Sequence, residues 1–129
     1  MHFYDASNNT FINITTSYDE DYCFAIYYSE NNTLIDLTAT NCPEGFSMWG
    51  GFHDNIITNL NVSYNVLGIR TFYENYRNVF RDSYIIGNTQ AGLFLDGSGS
   101  DDPEYNVFYN NIFNTLNVIS GRSDSSVID

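Results

Sequence analysis

The chain has no lysine. Its basic residues are four arginines, at positions 70, 77, 81 and 122, set against sixteen acidic residues in 129. A surface this negative repels phosphate backbones and anionic lipid, which argues against nucleic-acid binding and attachment to membrane surfaces. Only two histidines occur, His2 and His53. They are too few and too separated for a metal triad or a Ser-His-Asp set, and each reads as a surface residue. No run approaches the ~18 consecutive apolar residues that a transmembrane helix needs. The segment Met1–Asp5 lacks the basic and apolar regions of a signal peptide. No stretch carries a sustained apolar stripe at i, i+3 and i+4, so helices are not expected.

What the chain does have is a period. Asn9, Asn32, Asn55 and Asn78 are spaced by 23 residues, and each is followed two positions later by a large apolar residue: Phe11, Leu34, Ile57 and Phe80. Asn106 with Phe108 follows after a longer gap. A fixed period in this range marks stacked repeats, in which equivalent positions form straight columns. Five positions beyond the first apolar site, a second inward column reads Thr16, Ala39, Val62, Ile85 and Phe113. Later in each unit a small residue introduces a second apolar stretch: Gly45-Phe46-Ser47-Met48, Gly68-Ile69-Arg70-Thr71 and Gly92-Leu93-Phe94-Leu95.

Apolar residues in these stretches alternate with period two, a strand signal. Asn, Gly, Ser and Asp interrupt them every few residues and favour turns. Strands this short pair with the same strand of the next unit, about 4.8 Å away. The expected fold is all-β: a right-handed single-stranded parallel β-helix, a β-solenoid of about five rungs with a period of 23 residues. The whole chain, 1–129, reads as one such module, with 121–129 as a flexible tail.

The runs Ala91-Gly-Leu-Phe-Leu-Asp-Gly-Ser-Gly-Ser100 and Tyr105-Asn-Val-Phe-Tyr-Asn-Asn-Ile-Phe-Asn114 resemble the parallel β-helix repeats of the pectate-lyase-like superfamily, and within it the NosD-like repeat of bacterial and archaeal surface proteins. Matching units cover roughly residues 7–120. The resemblance implies the fold, and a substrate groove along an outer sheet face. It does not by itself imply an activity, since the fold carries lyases, hydrolases, binders and structural proteins.

The repeated asparagines read as a structural ladder of Asn9, Asn32, Asn55, Asn78 and Asn106 that satisfies polar groups inside a turn. Asn65 and Asn88, with Asn41 nearby, suggest a second column. Asn8, Asn13, Asn31 and Asn61 begin Asn-x-Ser/Thr triplets, which are glycan acceptors in a secreted protein. Cys23 and Cys42 lie in adjacent units and either pair in a disulfide or remain free. Together these features lean towards an extracellular or cell-surface location.

The outer face of the second strand is the candidate ligand surface. If Phe46/Met48, Ile69/Thr71 and Leu93/Leu95 point inward, then Tyr27, Trp49, Phe72 and Asp96 form an outer column flanked by Arg70 and Phe94. Aromatic rings beside hydrogen-bonding groups suit flat sugar faces. The expected function is a structural and recognition module binding polysaccharide or a cell-surface glycan. The alternatives are a self-assembling filament or surface-layer subunit, and a polysaccharide lyase or glycoside hydrolase. No cofactor is required. The insertion 96–104 is oxygen-rich, so Asp96, Asp101 and Asp102 are candidate Ca²⁺ ligands. The carboxylates that could pair for hydrolysis are Asp36, Asp82, Asp96, Asp101 and Asp102, but no catalytic residue is assigned. Bare solenoid ends expose strand edges and core, so the module is expected to be part of a longer chain or a homo-oligomer.

Overall fold

In the computed structural model, residues 1–96, 105–113, 118–120 and 127–128 are described. Every regular element among them is a strand, and every pairing between strands is parallel. One sheet stacks β1 (His2–Tyr4), β3 (Tyr22–Tyr27), β5 (Glu44–Trp49), β8 (Leu67–Thr71), β11 (Ala91–Leu95) and β14 (Val118–Ser120) in that order. The other holds β2 (Thr10–Ser17), β4 (Thr33–Thr40), β6 (Ile56–Thr58), β7 (Asn61–Ser63), β9 (Val79–Arg81), β10 (Tyr84–Ile86), β12 (Val107–Tyr109), β13 (Ile112–Phe113) and β15 (Val127–Ile128).

This second sheet is folded at a corner. β4 runs through it, pairing with β6 on one side and β7 on the other. The corner residues Asn13, Asp36, Asn59, Asp82 and Asn110 all have φ between 53° and 58°. Asn and Asp tolerate this left-handed backbone better than other residues with a side chain, which explains their recurrence there. The result is a coil with three faces.

The solenoid has about four turns at a period of about 23 residues, rather than the expected five. The regular spacing ends at Asn78, because the next ladder residue, Asn106, follows 28 positions later. Residues 97–104 of that lengthened unit, with Asp101 and Asp102, lie outside the described residues. So do 121–126 and 129 of the expected tail, whereas Val127 pairs with Val107 and Ile128 with Phe108.

Inward columns fill the coil. Phe11, Leu34, Ile57, Phe80 and Phe108 are in register, and so are Phe24, Phe46, Ile69 and Leu93. Apart from Phe11 these side chains are buried. Each fully buried one stabilises the fold by about 1.5–3 kcal/mol.

The ladder runs along one edge of this core. The backbone N–H and the side-chain amide of Asn32 both donate to Oδ1 of Asn55, at 2.8 and 3.1 Å. Asn55 does the same to Asn78, and Asn78 to Asn106. Each Nδ2 also donates to a backbone carbonyl of the preceding coil, such as Asn55 to Ser29 O. Asn9 is exposed and donates its backbone N–H to Oδ1 of Asn32 at 2.9 Å.

A second ladder joins Cys42 N–H to Asn65 Oδ1 and Asn65 N–H to Asn88 Oδ1. Asn41 is not a rung of it. Asn41 is exposed, with φ 59°, because it occupies the left-handed corner one residue earlier. Beside this ladder runs the glycine column. A Cβ on Gly68 would lie 2.4 Å from Gly92 O and 2.8 Å from Asn88 Nδ2. In the first coil Cys23 stands between register partners of Glu44 and Phe46, hence opposite Gly45, and it is bonded to Cys42. The disulfide thus occupies the corner that later coils fill with glycine and asparagine.

Candidate functional site

The outer face of the six-stranded sheet carries the aromatic column. Register pairs Tyr27 with Trp49, and Ala25 with Ser47, Arg70 and Phe94. Phe72 N–H donates to Met48 O and Asp96 N–H to Thr71 O, so both continue the Tyr27–Trp49 line. The rings of Tyr27 and Trp49 are near parallel at 5.9 Å, and those of Trp49 and Phe72 are stacked at 3.8 Å.

Phe72 is covered. Trp49 lies 3.8 Å from its centroid and Arg70 Cζ lies 3.8 Å from the same centroid. Two groups that close cannot share one face, so they clamp the ring from both sides and leave it 6% exposed. Tyr27, Trp49, Arg70, Phe94 and Asp96 remain half-buried. Tyr4 extends the array past Tyr27 at 5.9 Å and is 65% exposed. Tyr22 meets Trp49 edge to face at 6.1 Å.

Arg70 ties the polar part together. Its Nη1 lies 2.5 Å from Glu44 Oε1 and its Nη2 3.3 Å from Asp96 Oδ2. The Ser47 hydroxyl donates to the other Glu44 oxygen. Arg70 Cζ also lies 5.3 Å from the Phe94 ring. Burial, and then the Glu44 charge, push the Tyr22 hydroxyl above its ordinary pKa, so it stays protonated at neutral pH.

Sequence reasoning did not find Glu44, Tyr4 or Tyr22. Glu44 was hidden by a break in alternation. The register pairs Glu44 with Leu67 and Phe46 with Ile69, while Gly45 turns inward beside Phe46. A period of two read backwards from Phe46 therefore assigns Glu44 to the wrong side. Its signal was the glycine itself, which recurs at Gly68 and Gly92.

A separate corner holds His53. Its ring stacks on Tyr76 at 4.7 Å, with Nδ1 2.9 Å from Asp54 Oδ2 and Nε2 3.4 Å from Glu30 Oε2. Arg77 holds Asp54 through Nε at 2.7 Å and Nη2 at 2.6 Å, and this pairing brings the Asp54 pKa down to about 2.

The other carboxylates do not converge on the aromatic face. Asp36 accepts from Asn59 and Asp82 from Asn110, both along the corner column of the second sheet. Asp96 lies with Arg70. Asn8, Asn13, Asn31 and Asn61 are all exposed. Among the described residues, no group of three or more His, Cys, Asp or Glu side chains is arranged to hold a metal ion. No described helix is long and apolar enough to cross a membrane.

A family model described as periplasmic copper-binding protein (NosD) matches residues 1–127. The chain belongs to that family. No curated protein and no solved structure matches it significantly.

Proposed function

We propose that this member of the NosD family is a recognition module on the outer side of the cytoplasmic membrane, and that the outer face of its six-stranded sheet binds a glycan. The observation that carries the reading is the convergence there of Tyr4, Tyr27 and Trp49, from three successive coils, beside Asp96 and Arg70. Amphipathic rings next to hydrogen-bonding groups match a sugar, which has an apolar face and a polar rim. Phe72 serves as the backing that holds Trp49 in place, since both of its own faces are filled. The column runs along the stack with one rung per ~4.8 Å, which suits an extended chain laid parallel to the solenoid axis.

The location is supported by the family description and by the Cys23–Cys42 disulfide, since such bonds persist in oxidising compartments.

Copper is a different matter. Every sulfur and imidazole side chain of this chain lies among the described residues, and they do not fit a resident copper ion, which favours such donors. Cys23 and Cys42 are bonded to each other, Met48 is fully buried in the core, and Met1 is exposed with its terminal amine donating to Cys23 O. His2 packs against Tyr22 and Tyr27, while His53 stacks on Tyr76 at another corner.

The glycan reading is tested on an array of immobilised glycans with the wild type and Trp49→Ala. Binding by the wild type that drops at least tenfold in the variant supports it. A wild type that binds nothing overturns it.

A further inference from the structure

We infer that the ligand of this face is a neutral glycan, and that polyuronates are turned away; the inference rests on the reading of the face as a glycan site. A site for an acidic polysaccharide needs a cation free to meet sugar carboxylates. Arg70 is the one arginine that the described residues place on this sheet, and it is not free. Its two terminal nitrogens are engaged by Glu44 and Asp96. Its flat face lies against Phe72 at 3.8 Å. The charge of the guanidinium is therefore balanced inside the protein, where it positions two carboxylates and one ring.

The charge that remains points the other way. Among the described residues, two carboxylates against one guanidinium leave an unbalanced negative charge on the face, in a chain whose formal net charge is −12. The other described arginines are no nearer help, because Arg77 pairs with Asp54 and Arg81 with Asp82 at other corners. A sugar carboxylate arriving at the aromatic column meets like charge. A sugar hydroxyl meets acceptors, because ionised carboxylates only accept hydrogen bonds. Asp96, with 18% of its side chain exposed, is the more reachable of the two. The chemistry selected is a donor-rich, uncharged polyol with an apolar ring face.

The test is native affinity electrophoresis of the intact chain through gels containing laminarin, galactomannan or polygalacturonate. Wild type, Trp49→Ala and Asp96→Asn are compared, each checked for an unchanged circular dichroism spectrum. At least one neutral polymer should slow the wild type and not Trp49→Ala. That retardation should hold from low salt to about 0.5 M, since no ion pair carries it. Polygalacturonate should leave the wild type unretarded, while Asp96→Asn, which leaves one described carboxylate against the Arg70 guanidinium, should be measurably retarded by it. Wild-type retardation by polygalacturonate as strong as by either neutral polymer overturns the inference and leaves glycan binding standing. Failure of all three polymers to slow the wild type overturns the glycan reading beneath it.

Discussion

Cys23 and Cys42 close the first full coil at the two columns that later coils fill with glycine and asparagine, their Cα atoms 5.7 Å apart. Gly45 and Gly68 stand in the Cys23 column, and Asn65 and Asn88 in the Cys42 column. One covalent bond thus does at the first coil what a close backbone approach and a hydrogen-bonded amide do at the others. With the cysteines 19 positions apart in sequence, reduction should lower stability by about 3 kcal/mol. Urea unfolding of the oxidised and reduced protein measures this. The double variant Cys23→Gly, Cys42→Asn should recover more than the double serine variant. The amide introduced by Cys42→Asn can donate to the Thr16 carbonyl as Asn65 does to Ala39.

Asn55 is the most heavily bonded rung. It accepts from the backbone and side chain of Asn32 and donates to Asn78, Ser29 and His53, with no exposed surface. Asn55→Ala strands several buried groups at about 1–3 kcal/mol each. A loss of at least ~3 kcal/mol in urea unfolding is expected. Asn9→Ala, at the exposed end of the same column, should cost less than about 1 kcal/mol.

Gly68→Ala should destabilise by about 3 kcal/mol or more, because its Cβ meets the backbone oxygen of Gly92, which cannot move aside. Gly50→Ala should be near neutral, since its Cβ meets only the Tyr28 ring at 3.6 Å. Thermal melts of the two variants make the comparison.

Asp54 is depressed to about 2 from 3.8, first by the hydrogen bond from Arg77 and then by that from His53. A depressed carboxylate stabilises the fold above its unfolded pKa, and this is lost as pH falls through the folded value. The pair is partly exposed, so its contribution is about 1 kcal/mol after screening. Asp54→Asn should therefore be about 1 kcal/mol less stable than wild type at about pH 6, and the gap should close below about pH 2. Urea midpoints across that range check it.

Copper should not bind this chain as a stoichiometric resident ion. Equilibrium dialysis of the oxidised protein against Cu²⁺ should leave no saturable uptake with micromolar affinity. Tight one-to-one uptake would contradict the placement of the sulfur and imidazole groups.

The amino-acid order alone determined the solenoid and its register. Identical spacing of Asn32, Asn55 and Asn78 forces identical turns to stack, and stacked turns align every strand with its copy in the next coil. That register also sufficed to put Tyr27 beside Trp49 and Phe72 beyond it. The tertiary structure decided what those neighbours do. Whether a ring lies open or clamped depends on its tilt and on what packs from either side, so the burial of Phe72 between Trp49 and Arg70 has no signature in spacing. Glu44 reaches Arg70 across 26 positions only because inward Gly45 breaks the alternation of β5. The cysteines were legible as a pair that could form, but their substitution for a glycine and an asparagine emerges only once the coils are superposed. Periodicity sets which residues are neighbours; close packing sets which of their faces remain for a ligand.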